Sequence, residues 1–294
     1  PGDKGALHAA LTQLAEQDPL INLRQDDIRQ ELYVSLYGEV QKEVIEDTLA
    51  REYGIDDTFR ETTMIYIERP AGSGTAIELL GKDGNPFLAT VGLSVASAPI
   101  DSGLEFRLDV KIESIPLYVY KAVDEFRKSL EEVVRETLRQ GIHGWQVTDL
   151  VVTLTSSDYS SPGTTSGDFR KLVPLVLMSA LVDGGTVVCE PVHRFHLDFP
   201  ADTLGAIVPV LARLRAVPGT PVIQGRSATL EGEIPAAQVH ALQQQVPGAT
   251  RGEGVLESAF DHHRPVSGAP PTRPRTDNNP LNRKEYLRHI LRGV

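Results

Sequence analysis

The chain has 294 residues, of which 40% are hydrophobic and 23% charged, with a net charge of −11. Such a length supports two or three domains with cores of their own, and the acidic excess excludes a protein that coats nucleic acid indiscriminately, since phosphate is repelled unless basic groups are gathered locally. No run approaches the roughly 18 apolar residues that cross a bilayer, and the start, PGDKGALHAALTQ, lacks the basic stretch and apolar core of a leader. The expectation is a cytoplasmic protein without a membrane partner. Basic residues gather at one end: from Arg264 to Val294, Arg264, Arg273, Arg275, Arg283, Lys284, Arg288 and Arg292 face only Asp277 and Glu285, a local balance of +5 that leaves −16 elsewhere.

Taken in chain order, GALHAALTQLAEQ (5–17) places Leu7, Leu11 and Leu14 at helical spacing, and QELYVSL alternates, with Leu32, Val34 and Leu36 on one side. GEVQKEVIEDTLAREYG then carries Val40, Val44, Ile45 and Leu49 on one stripe and ends at Gly54, a C-cap residue, before a short extended run, IDDTFRE. The order αββαβ is that of a small split-βαβ domain without its opening strand. Extended stretches follow around IELLG and LEFRLDVKI, then a long helix from Tyr118 to Arg139 with Phe126, Leu130, Val133 and Leu138 on one face, closed by Gly141 and Gly144. VTDLVVTLT is a strand with Leu150, Val152 and Leu154 pointing one way. KLVPLVLMSALV is a buried helix that starts near, or bends at, Pro174, because proline removes a backbone donor.

GTVVCEPVHRFHLDFP, ADTLGAIVPVLARLR, PVIQGRSATLEGEIP, AAQVHALQQQ and RGEGVLESAFDHH read strand, helix, strands, helix, strand, the split-βαβ order again. SGAPPTRPRTDNNP is a Pro-rich linker, and LNRKEYLRHILRG a terminal helix with Leu281, Leu287 and Leu291 on one side. The single cysteine, Cys189, sits in an apolar strand and reads as a small buried hydrophobe. His193, His196, Asp261, His262 and His263 cluster in sequence, yet neighbours on a strand face opposite sides, so only pairs such as Asp261 with His263 could converge; no metal site is expected. No G-x-x-x-x-G-K-[ST] phosphate loop is present, so no catalytic residues and no bound nucleotide are expected in this chain.

The stretch TSSDYSSPGTTSGDFR, 155–170, is a polar connection between an alternating strand-like run and a dense apolar run, and at such length it asks for a reason. Its Pro162-Gly163 pair favours a type II turn with a stiff apex, Tyr159 offers a flat face for stacking on a base, and the serines supply donors and acceptors.

GEVQKEVIEDTLAREYG resembles the helix of the third domain of elongation factor G, GWQVTDLVVTLTSSDYSSPGTTSGDFR its fourth domain, and CEPVHRFHLDFPADTLG the entry to its fifth. Within that superfamily DPLINLR, TTMIYIERP, NPFLATVGLSV, the Tyr-Ser-x-Pro-containing tip before DFR and the terminal helix are similar to tetracycline-resistance ribosomal protection proteins of the TetM, TetO and OtrA kind. The resemblance spans essentially the whole chain. It implies an α+β protein with two split-βαβ, ferredoxin-like domains (1–66, truncated at its start, and 186–263) flanking an α/β domain like the fourth domain of elongation factor G (67–185), then a linker and basic helix (264–294).

The resemblance also implies a monomer that meets the 16S rRNA decoding region of the ribosome through the tip Tyr159, Ser160, Ser161, Pro162, Gly163 and Thr164, where tetracycline is displaced. Ser160 and Gly163 depart from the Tyr and Val of the TetM type. Ser114, Ile115 and Pro116 resemble a neighbouring tip loop; Arg283, Lys284 and Arg288 are candidate rRNA contacts; the 186–263 domain would meet the large-subunit stalk base. GTP and magnesium would belong to an N-terminal domain that precedes this segment. The alternative within the superfamily is the C-terminal part of elongation factor G itself.

Overall fold

The structure is a computed structural model that describes residues 4–18, 21–26, 31–35, 39–55, 65–82 and 84–292. It divides into two units, Pro1–Ile65 with Glu190–Arg264, and Tyr66–Cys189 with Pro265–Val294. Each is a mixture of helices and sheet.

The first unit opens with helix α1 (Lys4–Gln17), a hairpin of antiparallel strands β1 (Asn22–Asp26) and β2 (Glu31–Ser35), and helix α2 (Glu39–Glu52). Ala10, Leu11, Ile21, Ile45 and Leu49 are buried together, with Leu7, Leu14, Leu32 and Val34 partly so. Val44, expected on that stripe, is exposed. Leu36, the side chain of Val40 and the run expected beyond Ile55 lie outside the described residues.

The second unit starts with β3 (Ile67–Pro70), β4 (Gly74–Glu78), β5 (Ala89–Ser97) and β6 (Leu104–Leu108), followed by helices α3 (Leu117–Tyr120) and α4 (Val123–Thr137), short β7 (Gln146–Val147), β8 (Leu150–Tyr159) and helix α5 (Ser166–Gly184). Its main sheet has the order β4-β5-β8-β6, antiparallel except for the β6–β8 pair. One face of the sheet carries Val91, Leu93, Val95, Phe106, Leu150, Val152 and Leu154 against Phe126, Leu130 and Val134 of α4 and Phe169, Leu172, Val173 and Met178 of α5, all buried. At roughly 1.5–3 kcal/mol per buried large apolar side chain, this is the principal source of stability of the unit. β3 pairs in parallel with β7 and antiparallel with the first four residues of β9 (Thr186–Pro200).

The remainder of β9 belongs to the first unit. There α6 (Leu204–Arg213), β10 (Val217–Pro218), β11 (Val222–Gln224), β12 (Ser227–Pro235), α7 (Ala236–Ala249) and β13 (Val255–Pro265) follow. β10 and β11 both pair with β12, β12 pairs antiparallel with β9, and β13 takes the other side of β9. That order is the split-βαβ arrangement. Phe195, Leu197, Phe199, Ile207, Leu211, Leu230, Ile234 and Leu242 fill its core.

The chain returns to the second unit for helix α8 (Arg283–Arg292). The packed stripe of α8 is Tyr286, Leu287 and Ile290, while Leu281 and Leu291 are exposed, which corrects the expected leucine face. The Pro-rich stretch before it is no free spacer. Trp145 Nε1 donates to Pro271 O at 2.7 Å, the Arg273 guanidinium lies 4.7 Å over the Trp145 ring, and Arg275 donates to the carbonyls of Gln140 and Gly141 at 2.8 and 2.6 Å. Among the described residues no helix is long and apolar enough to cross a membrane.

Candidate functional site: the tip between β8 and α5

The polar stretch that looked like a 16-residue loop is mostly regular structure. Strand β8 continues through Ser156, Ser157 and Asp158 to Tyr159, paired with β5 from Gly92 back to Ala89 after a bulge at Thr155. Serine and aspartate are poor strand formers, but β5 supplies a complete ladder and tertiary pairing overrides propensity. Helix α5 begins at Ser166, eight residues before Pro174. The reason is a capping box in which Thr165 is the N-cap and Asp168 reaches back to it, with Thr165 N and Oγ1 2.8 and 2.7 Å from Asp168 Oδ2. The T-S-G-D spacing carried that signal. Pro174 lies inside the helix. The connection proper is 160–165, ordinary in length.

Two neighbouring segments brace it. Leu88, in the turn before β5, donates its N–H to Asp168 Oδ1 at 3.1 Å and accepts from Thr164 Oγ1. Burial works to raise the Asp168 pKa, but the donors from Thr165 and Leu88 outweigh it and hold the carboxyl below its ordinary range. From the other side Tyr118 OH donates to Thr164 O at 3.0 Å, the Tyr118 and Tyr159 rings lie 5.7 Å apart, and Ser157 Oγ donates to Ser114 O at 2.9 Å. Three loops thus form one end of the second unit.

Of the six expected tip residues, Ser161, Pro162 and Gly163 are exposed, Tyr159 and Ser160 are half-buried, and Thr164 is only 2% exposed. Thr164 is therefore no surface contact. Tyr159 is engaged by Tyr118 and is no freely offered stacking face. Gly163 stays outside the positive-φ region that a type II turn requires; the Ser161–Pro162 peptide is cis, and Thr164 N–H closes the turn on Ser160 O at 2.8 Å. In the neighbouring loop Ile115 and Pro116 are buried and Ser114 half-buried. The exposed apolar groups at this end are Leu88, Ile112, Leu117 and Tyr118, none of which the sequence reading singled out. A local signal existed only in the turn-like NPFL and ESIPLY stretches around them.

The basic helix separates likewise. Arg283 is ion-paired with Glu78 at the end of β4, whereas Lys284 and Arg288 are exposed. In the first unit the convergence of acids and histidines is also different from expectation. Asp261, His262 and Glu233 bring one ligand atom each within 4.8 Å of one another, with His262 Nδ1 2.7 Å from Asp261 Oδ2. Asp261 and His262 thus meet although they are adjacent on β13. Arg194 lies 3.3 Å from the same Asp261, so the carboxylate already has a cation.

A braced tip at one end of an α/β unit, followed along the chain by a split-βαβ module, is the arrangement of an elongation factor G-like protein. Residues 67–185 match the family model described as elongation factor G, domain IV, and residues 187–274 match the elongation factor G C-terminus. The oxytetracycline resistance protein of Streptomyces rimosus is 45% identical over 100% of this chain and 44% of its own length. Tetracycline resistance protein TetP of Clostridium perfringens is 37% identical over 98% of the chain and 43% of itself, and TetM of Streptomyces lividans 40% identical over 90% and 40%. Over nearly its whole length the chain is similar to tetracycline resistance proteins, and it spans less than half the length of these relatives. A crystal structure of a Thermus thermophilus protein shares the fold, with a TM-score of 0.64 at 20% identity over 99% of this chain and 41% of that one.

Proposed function

We propose that this chain is the ribosome-binding portion of a tetracycline resistance protein, and that its tip displaces tetracycline from the decoding region of the small subunit. The observation that carries the reading is the exposed Ser161-Pro162-Gly163 apex, held between β8 and α5 by bonds to two neighbouring loops. An apex fixed before binding loses little conformational freedom on contact, so its few side chains can compete for a drug site. Exposed Leu88, Ile112, Leu117 and Tyr118 beside it offer apolar and aromatic surface to unstacked bases. Lys284 and Arg288 add phosphate contacts, and the 186–263 module meets the large subunit near the stalk base. GTP and magnesium belong to chemistry that this chain's residues do not perform. One or two tip contacts shift a drug equilibrium by about 10–100-fold at 1.4 kcal/mol per decade, so holding the ribosome falls to the broader surfaces.

The test uses the protein as the cell makes it. With Ser161, Pro162 and Gly163 replaced by a glycine-serine stretch of equal length, displacement of labelled tetracycline from ribosomes should weaken about 10-fold or more, with ribosome binding nearly unchanged. Undiminished displacement would sink the proposal.

A further inference from the structure

We infer that Thr164 is the positioning residue of the tip, acting on the drug site only through the apex it holds. The inference rests on the function proposed above. Thr164 is 2% exposed, and every polar group it has is used inside the protein. Its N–H donates to Ser160 O at 2.8 Å, its hydroxyl oxygen accepts the Ser160 N–H at 2.8 Å, and its hydroxyl donates to Leu88 O, with Ser160 O 3.2 Å away. Its carbonyl accepts from Tyr118 OH at 3.0 Å. One buried residue thus joins both feet of the apex to the turn before β5 through its hydroxyl and to α3 through its carbonyl.

The chemistry demands a hydroxyl at this place. Valine has the shape of threonine but would take from Leu88 O and the Ser160 N–H the hydroxyl that joins them, leaving the two segments without this link. Serine keeps the hydroxyl and loses only a methyl group. A residue that merely filled space would show the opposite order, since valine would then be the benign replacement.

Three variants of the protein as the cell makes it, Thr164→Val, Thr164→Ser and Tyr118→Phe, are assayed for ribosome binding and for displacement of labelled tetracycline. Thr164→Val should raise the concentration for half-displacement by about 10-fold while ribosome binding changes less than about 2-fold, and Thr164→Ser should stay within about 2-fold of the parent. Tyr118→Phe removes a second brace from the same residue's carbonyl and should give a smaller defect of the same kind; it carries the test if Thr164→Val fails to fold. Combined with the glycine-serine apex, Thr164→Val should add nothing, because both changes act through one element. Full activity of Thr164→Val, a Thr164→Ser defect as large as that of Thr164→Val, or additive losses would each overturn the inference. If the apex replacement alone is harmless, the proposed function falls; if it is harmful and Thr164→Val is silent, only the inference does.

Discussion

Two irregular segments of the second unit, the tip at 160–165 and the turn at 140–145 between α4 and β7, solve the same problem in opposite ways. At the turn, every backbone donor is claimed. Gly141 N–H bonds Trp145 O, Gly144 N–H bonds Gly141 O, and the N–H groups of Ile142, His143 and Trp145 converge at 2.9–3.0 Å on the fully buried carboxylate of Glu68, which also accepts from Thr186. Its carbonyls are claimed by the stretch before α8: Arg275 takes those of Gln140 and Gly141, and Arg273 takes those of His143 and Gly144. Gly144, at φ +85°, admits this approach, since a Cβ there would lie 2.1 Å from Arg273 O. At the tip only the feet are held, and Ser161 to Gly163 stay exposed. Irregular backbone that is fully bonded serves architecture. Irregular backbone that is braced below and open above is free to touch something else.

The comparison breaks most violently at Glu68. Glu68→Gln puts an amide NH2 where three backbone N–H groups and the Thr186 hydroxyl now meet two oxygens, so at least one buried donor loses its acceptor. The expected loss is about 2–4 kcal/mol, visible in urea unfolding and in the emission of Trp145, the one tryptophan of the chain. A loss below about 1 kcal/mol would mean that the turn does not depend on this carboxylate. A smaller effect is expected at α8. Tyr286 is buried, its phenol pushed well above the ordinary range by that burial, and its OH donates to Lys171 O at 2.8 Å. Tyr286→Phe should therefore lose about 1 kcal/mol in the same unfolding measurement and leave the tip's chemistry intact; no measurable loss would show the bond to be dispensable.

These partnerships also mark how far the sequence could be read. The stripe of Leu150, Val152 and Leu154 and the helix face of Phe126 and Leu130 follow from periodicity and are buried as it implies. The helix expected as one piece from Tyr118 is instead α3 and α4, parted at Lys121 with φ 63°, because packing of Tyr120 against Phe126 and Phe169 bends the chain where no proline or glycine announces it. Arg273 and Arg275 read as linker charges because their acceptors lie some 130 residues away in sequence, beyond any local pattern. At the tip, residue types marked a segment that the fold braces at its feet, but not which of its side chains are exposed. Exposure cannot be read from a run of serines and threonines, and the one threonine that is buried looks like its neighbours.

The smallest effect on stability is expected at the apex, and it separates the type II turn foretold by the Pro-Gly pair from the turn observed. Glycine at φ > 0 cannot become alanine without strain of about 1 kcal/mol or more. Gly163, however, lies outside the positive-φ region, and an added Cβ would meet Ser160 O at an ordinary 3.6 Å and, more tightly, the end of the exposed Leu88 side chain at 3.1 Å. Leu88 must give by a few tenths of an ångström toward solvent, which costs little, while alanine narrows the freedom of the unfolded chain by about 0.4–1 kcal/mol in the opposite direction. Gly163→Ala should then stay within about 0.5 kcal/mol of the parent in urea unfolding, with tetracycline displacement preserved, because the turn is closed by Thr164 and not by a special glycine backbone. A loss above about 1 kcal/mol would restore the left-handed turn and remove the reason for placing the stiffness of the tip in its feet.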